Sequence, residues 1–76
     1  MDHLSSGRGV ELRLTARERD VLELLARGLR QEQIAASLGI GAETVRTHIR
    51  NASERVGAAT ATQAVAIAIR HGLIDA

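Results

Sequence analysis

Not one of the 76 residues is Cys, Phe, Trp, Tyr or Pro, and that absence constrains the chain more than anything it contains. Without Cys there is no disulfide framework, no thiolate zinc site and no thiol nucleophile. Without aromatic rings there are no base-stacking platforms and no aromatic cages. A domain of this length buries only about 60 % of its unfolded surface, so its thin core has to be assembled from Leu, Ile, Val and Ala. Abundant Ala, Leu, Arg and Glu, with no Pro to interrupt them, favour helix throughout. The expectation is one small all-α domain.

Ten basic residues, every one of them Arg, stand against nine acidic ones for a net charge of +1. A balance this even does not announce a polyanion partner, so any such role depends on where the arginines sit. The uncharged stretch Ala58 to Ile69 is too short to span a bilayer. Met1 to Glu11 is polar and lacks the apolar stretch of a secretory signal, which makes a cytoplasmic setting the default expectation.

Residues 1–13 hold Ser5, Ser6, Gly7 and Gly9 without an apolar period and read as a flexible arm or linker. Residues 14–74 are strongly patterned. Gly28, Gly39, Gly57 and Gly72 each follow an amphipathic stretch, where a left-handed helix stop is wanted. The first helix is predicted over 16–27, with Thr15 and Glu18 as a capping box and Val21, Leu22 and Leu25 on one face. The second covers 31–38 with Ile34, Ala35 and Leu38 inward, and it starts poorly because Arg30 has no side-chain acceptor. The third covers 42–56 with Val45, Ile49, Ala52 and Val56 as its buried stripe. The fourth covers 61–71, with Thr60 and Gln63 as a second capping box.

Gln31 to Arg50 fits a helix-turn-helix, in which two helices cross steeply over a short turn. Ala35 is small at the crossing, and a β-carbon at Gly39 clashes if the turn is left-handed there. The spacing alone is equally satisfied by two packed helices of an ordinary bundle. Five segments narrow the choice: Leu-Thr-Ala-Arg-Glu-Arg-Asp-Val-Leu (14–22), Ala-Arg-Gly-Leu (26–29), Gln-Ile-Ala (33–35), Glu-Thr-Val-Arg-Thr-His-Ile-Arg-Asn (43–51) and Thr-Gln-Ala-Val-Ala-Ile-Ala (62–68). In order and without gaps, they resemble the LuxR/FixJ/GerE-type DNA-binding domain. The resemblance implies an all-α four-helix bundle containing a helix-turn-helix, with the third helix entering the major groove of DNA and the fourth supporting homodimerisation. It implies a bacterial transcription regulator on a two-fold-related site, either the output domain of a response regulator or ligand sensor or a free-standing protein.

Several positions depart from the family pattern. Ala16 replaces Pro, Arg30 a small polar cap, and Glu32 a Lys near the DNA backbone. Ala52 and Ser53 replace larger aliphatics, which predicts an underfilled core behind the third helix. Ala59 and Ala61 stand where basic or amide residues are common. Together these changes predict weaker, more salt-sensitive DNA binding.

On the third helix Glu43, Arg46, Thr47, Arg50 and Glu54 lie opposite the buried stripe. Arg46 and Arg50 are one turn apart, and the planar guanidinium fork suits the two acceptors of guanine. By resemblance Arg46, Thr47 and Arg50 match the base-reading positions; a solvated face with Glu43, Arg46 and Arg50 in helical ion pairs is the plainer alternative. Thr44, His48, Asn51 and Arg55 flank that face and are placed for phosphate contacts. Gln31 is a further phosphate candidate, at a helix N-terminus whose amides attract anions. His48 also fits a half-buried residue bonded to a carbonyl.

On the fourth helix Val65 and Ile69 are expected to face the core. Ile67, with Gln63 and Ala64 or Ala68, is expected to form a small apolar patch suited to a dimer interface; a wider core face is the alternative. RNA polymerase is a candidate partner of such a regulator. No cofactor or metal is implied, since His3, His48 and His71 lie in separate segments. No catalytic arrangement is visible: the carboxylates are scattered, and Gly39-Ile40-Gly41 lacks the Lys and length of a phosphate loop. Two rival readings share the fold, a helical protein-interaction module without DNA binding and the promoter-reading region of a sigma factor.

Overall fold

Capping chemistry decides where the first and fourth helices begin and how all four end. Residues 12–75, which the computed structural model describes, form α1 (Ala16–Ala26), α2 (Gln31–Leu38), α3 (Ala42–Val56) and α4 (Ala61–Arg70), with no strand among them. α1 and α4 each stop one residue short of the expectation, because Arg27 and His71 are the C-caps. The arm or linker expected over residues 1–13 lies outside the described residues except for Leu12 and Arg13, and so does His3.

At α1 the box is complete. Thr15 Oγ1 accepts the Glu18 N–H at 3.1 Å, and Glu18 Oε1 accepts the Thr15 N–H at 3.0 Å. At α2, Arg30 supplies no side-chain acceptor, but Gln33 Oε1 accepts the Arg30 N–H at 2.8 Å, so half of a box forms. At α4, Thr60 Oγ1 accepts the Gln63 N–H at 3.1 Å, while Gln63 Oε1 takes the Ala59 N–H at 2.6 Å instead of that of Thr60. Thr60 has φ −138° where Thr15 has φ −67°, which turns its amide differently relative to the helix. The second capping box is therefore displaced by one residue.

All four helices end alike. The amides of Leu29, Ile40, Ala58 and Leu73 reach back to the carbonyls of Leu24, Ala35, Ser53 and Ala68 at 3.1, 3.1, 2.8 and 2.8 Å. This closure needs a left-handed residue just before the returning amide, supplied at the helix-turn-helix by Gly39 with φ 68°. A β-carbon placed on Gly39 meets nothing within 4 Å. The turn is left-handed as the clash requires, and the conflict of a β-carbon is therefore with the local backbone and not with a packed neighbour. The returning residues Leu29, Ile40, Ala58 and Leu73 then fold onto the core.

The core has two parts. Val21, Ile34, Ala35, Val45 and Ile49 join α1, α2 and the first half of α3. Leu22, Ala52, Val56, Ala64, Ala68 and Ile74 join α1, the second half of α3, α4 and the C-terminal turn. Helix α3 packs against every other helix, whereas α2 and α4 do not touch. Adjacent residues on α1, Val21 and Leu22, each enter a different cluster, and burying side chains of this kind contributes about 1.5–3 kcal/mol apiece.

Helix α4 sits differently from its expectation. Ala64 and Ala68 are fully buried, Val65 and Ile67 lie at the two edges of that face, and Ile69 is 38 % exposed. Alanine lets α4 come close to α1 and α3, where Ala52 is also fully buried. The small residue at 52, expected to underfill the core, shares its cluster with two equally small ones across α4. With the buried face centred on Ala64 and Ala68, helical periodicity carries Ile69 to the outside.

Candidate nucleic-acid interface

Four buried side chains orient α3. Val45, Ile49, Ala52 and Val56 recur at helical spacing and lock one stripe into both clusters. The opposite face is left to solvent. Arg46 and Arg50 are exposed on it with Thr47 between them, partly buried, and Glu43 and Glu54 extend the same face toward either end. Thr44 and Asn51 are exposed and His48 is half-buried along the flank. The structure thus brings Arg46, Thr47 and Arg50 together on one surface. Gln31 stands apart from them, exposed in the first turn of α2.

The charges on this surface are largely matched. Arg46 Nη2 lies 3.5 Å from Glu43 Oε1, one turn away. At the start of α2, Arg30 Nε donates to Glu32 Oε2 at 3.1 Å. The anion-attracting end of α2 therefore already carries a carboxylate. Both pairs are exposed and weak, so they guide side chains without holding them. Arg17 and Asp20 make a similar pair at 3.6 Å on α1.

Arg55 has a role that its sequence position does not reveal. Its Nε donates to Glu18 Oε1 at 3.0 Å, the same oxygen that accepts the Thr15 amide. Glu18 is 3 % exposed and is the buried charged residue among those described. One carboxylate oxygen thereby caps α1 and ties its start to the last turns of α3. Its Nε is thus committed inside the protein, a structural role beside the expected phosphate contact. Residues 37 positions apart make this contact, and no local pattern signals it.

The expected dimer patch also changes. Gln63 is exposed, but Ala64 is fully buried and Ile67 packs against the core, because the small residues of α4 face inward. Ala64 is therefore no interface residue. The outward face of α4 carries Thr62, Gln63, Ala66, Ile69 and Arg70. Beside it a shallow apolar groove is lined by Leu25, Ala26, Ala61, Thr62 and Val65. No helix among the described residues is long and apolar enough to cross a membrane.

Comparison with known proteins matches residues 12–68 to the model of the family described as bacterial regulatory proteins, luxR family. The chain is 43 % identical over 61 residues to the uncharacterised transcriptional regulatory protein YxjL of Bacillus subtilis, a match that covers 80 % of this chain and 28 % of that protein. It is 42 % identical over 62 residues to the spore germination protein GerE of Bacillus subtilis, covering 82 % of this chain and 84 % of GerE. The solved structure of the transcription factor GerE superposes with a TM-score of 0.78 at 35 % identity, covering 82 % of this chain and 92 % of that one. The chain thus spans under a third of YxjL but most of GerE.

Proposed function

The chain belongs to the luxR family of bacterial regulatory proteins, and from that membership we propose that it binds double-stranded DNA sequence-specifically, as a dimer, with α3 in the major groove. The observation that carries this reading is the exposed face of Arg46, Thr47 and Arg50, set opposite the buried stripe of a helix that every other helix braces. Arg46 and Arg50 read guanine edges through their bidentate forks. Thr47 contacts a thymine methyl between them. Gln31, Thr44, His48 and Asn51 hold the phosphates on either side, which sets register without reading sequence. Arg55 acts from behind, holding α3 to α1 through Glu18. No catalytic step is involved.

The dimer contact falls to the outward face of α4, with Gln63 and Ile69 in it and Ile67 at its edge. Such a face is small and poor in large side chains, which suits association on DNA better than a tight dimer in solution. Selection from random duplexes tests the whole reading. Recovery of an inverted repeat with half-sites about 10 base pairs apart, or a multiple of this, is the expected result. Ile69→Glu then weakens binding to the full site and leaves half-site binding intact.

One observation favours a second reading, a protein-interaction module. The α2–α3 unit has Glu32, Glu43 and Glu54 against Arg46, Arg50 and Arg55, with no excess of positive charge. A salt titration on nonspecific duplex separates the two, since a log–log slope near zero belongs to the interaction module.

A further inference from the structure

The three arginines of α3 are met by acids in different ways. Arg55 is tied to the buried Glu18, Arg46 lies 3.5 Å from Glu43, and Arg50 has no acidic side chain within ion-pair distance among the described residues. The Arg46–Glu43 pair is unlike the first because it stands in solvent, with the Glu43 side chain 84 % exposed. Part of Glu43 is explained by helix chemistry. Gly41 gives α3 no side-chain cap, and a carboxylate in the first turn favours the helix dipole. Any first-turn position would serve that purpose. It does not account for a carboxylate on the outward face, one turn before Thr47 and in line with Arg50. On a surface that meets a polyanion, a fixed negative charge raises the energy of every pose that brings phosphate near.

We propose that Glu43 is a specificity-determining residue, whose carboxylate disfavours backbone-only contacts and is accommodated where the major groove offers it an amino donor. The inference rests on the reading that the outward face of α3 enters the groove. A carboxylate only accepts hydrogen bonds. In the major groove the donors are the amino groups of cytosine and adenine, while guanine and thymine present acceptors. On a wrong sequence, Arg46 turns to a phosphate and leaves Glu43 facing anions. On a right one, Arg46 turns to a guanine and Glu43 finds an amino group nearby. The exposed ion pair is weak enough to open in either case, so it acts on discrimination and not on folding.

Glu43→Gln and Glu43→Ala in the full chain test it. Each is measured against a site selected by the parent protein and against a nonspecific duplex of equal length, with a thermal melt of each variant. The expected result is a rise of about five-fold in nonspecific affinity, a smaller rise or a fall on the selected site, and relaxed preference at one base pair. Equal changes on both duplexes, or no change on either, overturn the inference, because a helix-stabilising or purely repulsive role moves both affinities together. If the parent protein selects no sequence at all, the groove reading fails and the inference fails with it. A parent that selects normally while the variants keep its specificity ratio sinks the inference alone.

Discussion

The two halves of the core are built from different materials. The cluster under the helix-turn-helix uses Ile34, Val45, Ile49 and Val21, branched side chains that fill volume and resist rotation. The cluster under α4 relies on Ala52, Ala64 and Ala68, with Leu22, Val56 and Ile74 around them. Branched residues fix the angle at which α3 projects from α1 and α2. Alanines let α4 lie close and leave its outer side for other contacts. The difference teaches that α3, like α1, serves both halves, so its pose depends on each. Glu18 and Arg55 join the halves a second time by linking the start of α1 to the end of α3.

Truncation in the branched cluster has the largest expected effect. Ile34 is fully buried, so Ile34→Ala removes its methyl groups and leaves a cavity, at a cost of about 2–5 kcal/mol. A domain this small has about that much stability to lose, and a chemical melt should find the variant largely unfolded. Overfilling of the alanine cluster comes next. Ala68→Leu forces α4 away from Leu22 and costs about 1–3 kcal/mol. If Ala68→Leu were neutral, close approach would not be what holds α4.

The link between the halves is tested third. Arg55→Ala leaves Glu18 buried without its charged partner and should cost about 1–3 kcal/mol in a thermal or urea melt. Its effect on DNA binding should follow the loss of folded protein. An Arg55→Ala variant of normal stability that loses affinity uniformly on all sequences, with a salt slope lower by about one per subunit, would return Arg55 to the phosphate backbone.

The smallest expected effect belongs to the helix-turn. Gly39→Ala meets no neighbour but must hold a left-handed backbone, so it should cost about 1–2 kcal/mol, read as a lowered melting temperature. A large loss of packing, seen as a change in the m-value, would contradict that local origin.

What was legible in the sequence divides along the same line. The helices, their glycine stops and the buried stripe of α3 follow from periodicity and capping, which are local. The face of Arg46, Thr47 and Arg50 follows from the same stripe by opposition. Helix α4 departs from its pattern at Ile69, which is expected in the core and stands exposed, while Val65 packs at the edge of the buried face. Burial there is decided by how closely Ala64 and Ala68 let a neighbour approach, a property of the partner helices and not of α4. The Glu18–Arg55 bond was invisible for a related reason. Glu18 already had a complete local explanation as a cap, and its second partner comes from 37 residues away.

The claim that α3 reads bases is tested most directly on Arg50, which carries no acidic partner among the described residues to complicate the result. Affinities of the parent protein and Arg50→Ala are compared on a selected site and on a nonspecific duplex at one salt concentration. The expected result is a loss of about 1–3 kcal/mol on the selected site, a smaller loss on the nonspecific duplex, and relaxed preference at a single base pair. Equal losses on both duplexes with the base preference unchanged would contradict it and make Arg50 a phosphate contact.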